Sequence, residues 1–291
     1  MTDIGSAPRK FRLGRKPRRE DPRTLQLRTY LAEALPAPPA SCTLYKNVTV
    51  PWGMDLNDTE GDCTIAAAAH MVMEWTGNAK PPPVVIPDAA IQAAYNVVDG
   101  GVDQGADMLT VLNYWRQTGI GSDKISAFVE VDQANHDELM QAVSLFGGVY
   151  LGVELPDFAV QGDMLLTPWT LPPQDTTYPP GNPSNGHCIA IVGYNEDWLY
   201  AVTWGEVKQM AWGFLDAYAD EAFAVLSPDW IDPQGETPAG LNLTQLQADL
   251  AAVTQNPAPN PPPPAPPTLW ARLWAYIEAL FHFGKKARTK M

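Results

Sequence analysis

Asn57-Asp58-Thr59-Glu60-Gly61-Asp62-Cys63-Thr64-Ile65-Ala66-Ala67-Ala68-Ala69-His70 is the stretch on which the fold turns. A polar, turn-prone run ends at Asp62 and breaks abruptly into an alanine-rich helix. Gly61 permits a sharp backbone turn, and Asp62 is a natural N-cap. Alanines at 66 to 69, then Met71, Val72, Met73 and Trp75, predict a helix whose small residues allow close packing. Cys63 then falls in the first turn, where unpaired backbone N–H groups and the helix dipole stabilise a thiolate.

The complement to this cysteine comes late in the chain. Gly186-His187-Cys188-Ile189-Ala190-Ile191-Val192-Gly193-Tyr194 reads as a histidine opening a buried, β-branched strand. Trp198-Leu199-Tyr200-Ala201-Val202-Thr203-Trp204-Gly205 follows as a second strand. A helix-opening cysteine followed by a strand-opening histidine resembles the papain-like cysteine peptidases. Their order is an oxyanion glutamine, the cysteine six residues on, a histidine heading a hydrophobic strand, then an Asn-Ser-Trp-Gly segment.

On that resemblance Cys63 is the nucleophile and His187 the base. Asn57 stands six residues before Cys63 and offers the oxyanion an amide one methylene shorter than glutamine. The Trp-Gly is kept as Trp204-Gly205, but Val202 occupies the asparagine position and cannot orient an imidazole. Thr203 or Asp216 serves instead, or the third member is absent. Trp204 shields the histidine by resemblance, and Gly61, Asp62, Gly186 and Trp204 line the substrate cleft. The likeness covers residues 41–230, and the Asn-Asp-x-x-Gly-Asp-Cys-Thr pattern looks like papain-like proteins of phages and prophages. It implies an α+β fold, with a helical half-domain carrying the cysteine helix packed on an antiparallel β half-domain, and flexible basic tails.

The activity implied is that of a peptidase or amidase working by Cys-His acyl transfer on a peptide or protein substrate. The alternative is a papain-like structural or binding protein with weak or no catalysis, virion-associated, docking through its terminal segments. Cys42 and Cys188 read as small hydrophobes, and His70 and His136 as packing or capping residues. The four histidines are scattered without CxxC or HxxxH spacing, so neither metal nor cofactor is called for. Asp99, Asp103 and Asp107 lack the remaining ligands of a calcium loop and read as a turn.

Charge separates the body from its ends. The formal net charge is −14, yet residues 1–28 carry nine Lys/Arg against three acids, and residues 268–291 five against one. The middle keeps 5 basic and 29 acidic residues, a surface that repels nucleic-acid backbones. Three cysteines without disulfide spacing favour a reducing cytoplasm, and a virion is compatible with the same chemistry. The basic N-terminus is no secretory signal, and no run approaches the roughly 20 apolar residues of a membrane span.

The expected organisation is a basic arm (1–40), a papain-like domain (41–235), an accessory helix (236–255), a proline-rich linker (256–267) and an amphipathic helix with a basic tail (268–291). The arm reads either as a disordered, solubilising tail or as a segment docking on an acidic surface, the body's own or a partner's. The last helix has an aromatic face suited to a partner protein's groove, a membrane surface or the body itself. Within the domain, residues 42–50 are expected as an edge strand and residues 209–214 as a strand.

Overall fold

The computed structural model describes residues 11–22, 24, 26–27, 37–162, 167–172, 178–232 and 237. The accessory helix, proline-rich linker and C-terminal helix expected from the sequence lie outside these residues. Among the described residues no helix is long and apolar enough to cross a membrane.

The fold is α+β. Three helices, α1 (Cys63–Ala79), α2 (Asp88–Val98) and α3 (Met108–Gln117), precede a six-stranded sheet. Its strands are β1 (Ala127–Glu130), β2 (Val149–Glu154), β3 (Gly186–Tyr194), β4 (Trp198–Thr203), β5 (Glu206–Ala211) and β6 (Ala219–Leu226). Two further helices, α4 (His136–Phe146) and α5 (Trp212–Tyr218), are threaded between them. The strand order is β1-β6-β2-β3-β4-β5, with every pair antiparallel.

Both faces of this sheet are covered, which explains why β3 reads as an unbroken apolar run rather than an alternating one. Cys188, Ala190 and Val192 point into a core shared with α1, α2 and α3. Ile189 and Ile191 point the other way, into a core with Leu139, Val143 and Phe146 of α4 and Phe214 and Leu215 of α5. Buried residues occupy nearly the whole of α1, and its alanines let it lie close against β3. Enlarging Ala67 or Ala68 would overpack that contact, at a typical cost of about 1–3 kcal/mol.

Local chemistry sets the ends of the shorter helices. The Asp107 carboxylate accepts the Thr110 N–H at 2.9 Å to start α3. Asn135 accepts the Glu138 N–H at 3.3 Å to start α4, which stops where Gly147 adopts φ 70°. Asp62 occupies the N-cap position of α1, but its side chain makes no capping hydrogen bond.

Two expected strands are corrected. In the 42–50 stretch only Cys42 bridges the sheet, at Tyr194, and Leu44–Asn47 turns as a 3-10 helix. The stretch at 209–214 divides: β5 ends at Ala211, and Trp212 begins α5. Phe214, Leu215 and Tyr218 share one helical face, and burying that face against the sheet outweighs the β propensity of Trp and Phe.

Candidate active site

Cys63 opens α1, and the heads of β3 and the end of β4 face it across a narrow groove. The thiol is 1% exposed. It meets β3 at the Cys188 backbone, one residue beyond His187. Tyr150 of β2 anchors the same helix turn, its hydroxyl donating to the Thr64 carbonyl at 2.6 Å.

His187 is fully buried. Its Nε2 lies 2.7 Å from the Thr203 Oγ1 at the end of β4. Trp204 stacks on the imidazole, with centroids 4.5 Å apart and planes at 19°. The antiparallel register of β3 and β4 makes this possible, because it sets the end of β4 beside the start of β3. Nδ1 makes no hydrogen bond with a described residue. Asp216, the other carrier of an orienting role in the sequence, pairs instead with His136 Nε2 at 2.7 Å on the surface.

Asn57 is buried, and its amide Nδ2 donates to the Glu60 carbonyl at 3.2 Å. The same side chain lies beside Asp62, whose carboxyl is pushed up to about 8 by burial while Asn57 acts in the opposite sense. Gly61 donates its N–H to Asp103 at 2.8 Å, and Tyr95 donates to the same carboxylate oxygen. Asp99 accepts from the Gly101 and Val102 N–H groups. The acids of the 99–107 loop are thus engaged in holding the groove wall. His70 is buried in α1, its Nε2 3.2 Å from the Gly53 carbonyl and 3.1 Å from Asp55.

The groove holds an extended polypeptide, and that polypeptide is the chain's own basic arm. Arg12 donates its N–H to the Asn57 carbonyl at 2.9 Å, and the Trp204 indole donates to the Arg12 carbonyl at 3.1 Å. On the sheet side the N–H groups of Gly14 and Arg15 reach the Gly186 carbonyl at 3.3 and 3.1 Å. On the helix side Ala106 donates to the Gly14 carbonyl at 3.0 Å and accepts from the Lys16 N–H at 3.0 Å. Gly14 passes so near the thiol that a Cβ there would lie 1.7 Å from the Gly61 carbonyl oxygen. Gly186 is held to glycine for the same reason, since its Cβ would meet the Arg15 carbonyl oxygen at 2.2 Å. Phe11 closes the end of the run edge-on against Trp204.

This closure sets the electrostatics. Burial pushes the Cys63 thiol up to about 12, against backbone hydrogen bonds from Cys188 and Gly14 that act downward. Burial first, then the charges of Arg15 and Lys208, pull His187 down to about 3. With the arm in place both groups are held neutral, the thiol and the imidazole alike.

Of the residues singled out in the sequence, Asn57, Gly61, Cys63, Gly186 and Trp204 meet the arm; His187 lies behind Trp204 with Thr203, and Asp62 lies beside Asn57. Sequence reading passed over Arg15, Ala106, Gly152 and Glu221. A glycine in the middle of a basic run, Gly14, was the one local sign that a backbone had to approach something closely.

The arrangement is that of a papain-like fold: a cysteine at the N-terminus of a buried helix, set against a sheet that presents a histidine under a tryptophan. Xylellain, a cysteine protease from Xylella fastidiosa, superposes with a TM-score of 0.57 at 16% identity, over 76% of this chain and 98% of that one. The ragweed cysteine protease Amb a 11, in its proform, gives 0.50 at 14% identity over 67% of this chain and 68% of that one. The Carica candamarcensis cysteine protease CMS1MS2 in complex with E-64 gives 0.47 at 16% identity, covering 65% and 99%. No family model matches the sequence, and no curated protein does either.

Proposed function

We propose that this protein is a cysteine peptidase or amidase whose nucleophile is Cys63 and whose base is His187. The observation that carries the reading is the groove itself. It binds an extended polypeptide through backbone hydrogen bonds on both sides, directly over a cysteine that opens a helix.

The chemistry follows from the two ends of the imidazole. Thr203 accepts the Nε2–H, which fixes the ring and leaves the Nδ1 lone pair to take the Cys63 proton. The thiolate attacks the substrate carbonyl carbon, and the Cys63 backbone N–H with the Asn57 amide holds the oxyanion. Collapse of the tetrahedral adduct expels the amine, protonated from Nδ1, and water then hydrolyses the thioester with His187 as base. Trp204 covers the imidazole against solvent. A hydroxyl in the orienting position is a weaker hydrogen-bond acceptor than a carboxamide, so the third member contributes orientation rather than charge.

The closed state opposes this chemistry, since a thiol held near 12 is not a nucleophile at neutral pH. Activity therefore requires the arm to leave the groove. The same burial favours a second reading, a papain-like scaffold that binds partners without catalysis.

A peptidyl electrophile separates the two. Gly14→Ala drives a Cβ into the Gly61 carbonyl and so displaces the arm without touching the groove. In that background we expect fast labelling at pH 7, abolished by Cys63→Ala and slowed about 100-fold or more by His187→Ala. Labelling no faster than a free thiol, with the arm displaced, would leave the scaffold reading.

A further inference from the structure

One arm residue is seated differently from all the others. Arg12, Arg18 and Arg19 pair with Asp103, Glu130 and Asp107 on exposed or half-exposed surface. Such pairs contribute little to affinity and are screened by salt. Arg15 is 3% exposed and its side chain is wholly enclosed. Its Nη1 donates to Glu221 at 2.6 Å and its Nη2 to Asp220 at 2.9 Å, on β6.

The pocket is built around that guanidinium. Glu221 is 1% exposed, a carboxylate that nothing in the sheet requires. On β2, opposite, the residue is Gly152, and a Cβ there would lie 2.7 Å from the Glu221 side chain, 2.8 Å from the Met108 sulfur and 3.1 Å from the Arg15 Cζ. A glycine on a fully buried strand, facing a buried acid, leaves a volume that only the incoming side chain fills. The pocket opens one residue along from Gly14, the residue that lies against the thiol.

We infer that this cavity is a guanidinium pocket of the groove, and that the polypeptides bound there after the arm leaves present an arginine to Glu221 and Asp220. This deepens the peptidase reading by assigning its substrate class, and rests on that reading only for the cleavage step. Arginine fits better than lysine because its planar fork reaches two carboxylates at once, whereas an ammonium is a single point charge on a flexible stem. An apolar side chain would leave Glu221 buried without a cation, which is strongly unfavourable. Burial already holds Glu221 up near 7 against the opposing effect of Arg15, so an emptied pocket favours either a proton or another guanidinium.

The test uses the full-length chain carrying Gly14→Ala and Arg15→Ala, so that the arm is displaced and its guanidinium removed. Fluorescein-labelled peptides with the sequence of residues 11–19 are titrated against it, with arginine, lysine or leucine at the position of Arg15. We expect the arginine peptide to bind at least tenfold more tightly than the leucine peptide, with lysine between. Glu221→Gln in the same background should reduce the arginine-to-leucine ratio to about twofold. Equal binding of arginine and leucine peptides, or no binding of either to a folded variant, overturns the pocket. If Arg15→Ala compromises folding, Arg15→Gln serves with the same readout. Cleavage of the peptides is followed in parallel, with Cys63→Ala as control. Arginine-selective binding without cleavage defeats the peptidase reading and leaves the pocket; Cys63-dependent cleavage indifferent to arginine does the reverse.

Discussion

Two histidines in this molecule carry nearly the same local equipment. His187, at the head of β3, has an oxygen 2.7 Å from Nε2 and a tryptophan at 4.5 Å. His136, at the start of α4, has an oxygen 2.7 Å from Nε2 and Trp212 at 4.6 Å. What differs is the setting. His187 is fully buried, its partner is a neutral hydroxyl, and a thiol-bearing helix start lies at the next residue of its strand. His136 is over a third exposed, and its partner is the carboxylate of Asp216. An imidazole with a partner and an aromatic cover is therefore no signature of catalysis by itself. On the proposed reading, burial next to the start of the Cys63 helix makes the difference.

The comparison breaks first at the level of rate. With the arm displaced by Gly14→Ala, His187→Ala should lower Cys63-dependent turnover by a factor of about 10³, while His136→Ala leaves it within about twofold. Comparable losses from both, in steady-state kinetics on folded protein, would show that the two sites are not distinguished by setting.

Acid stability sharpens it next. The folded His187 titrates near 3 against an ordinary value of 6.5, so between those limits the unfolded chain binds a proton that the folded chain does not. Its contribution is complete above about pH 6.5 and is lost as the pH falls, at about 1.4 kcal/mol per pH unit. Denaturant melts of wild type and His187→Gln from pH 7 to 4 should therefore converge or cross. Asp62 and Glu221, held up near 8 and 7, act in the opposite sense, so the difference between the two proteins, not either curve alone, carries the result. A pH-independent difference would mean that His187 is not buried neutral.

The partners of the two rings give a smaller effect. Thr203→Val keeps the shape and removes the acceptor, and should lower turnover about 10- to 100-fold with KM little changed. Asp216→Asn should change neither. Smallest of all, Arg18→Ala and Arg12→Ala should each alter stability by no more than about 0.5 kcal/mol, because both guanidiniums lie on solvated surface, their side chains 36% and 46% exposed.

Much of this was legible from local pattern. The change from a polar turn to an alanine helix at Cys63 is a short-range signal, and so is the unbroken apolar run of β3. Trp204-Gly205 located Thr203, although the residue at the asparagine position is valine. What could not be read is long-range. Arg15 and Glu221 are 206 residues apart, and no periodicity connects them. In a charge count Arg15 is one cation of a basic tail, indistinguishable from Arg18. The 212–218 segment misled for a different reason: Trp, Gly and Phe in a short run carry a strand preference that tertiary burial of Phe214 and Leu215 overrides.

The two ends of the sheet have a bearing on how this protein behaves in a crowd. A strand with a bare outer edge is a template on which another chain can add. Along β5 that edge is met by the Trp169 segment, which donates to the Gln209 carbonyl and accepts from the Ala211 N–H, each at 2.9 Å. Along β1, Gln26 bridges Glu130. Neither outer strand therefore offers a long uninterrupted row of unsatisfied backbone groups. Trp169 and Gln26 each occupy part of an outer edge, and loosening the segment at Trp169 would bare the β5 edge to pairing with another chain.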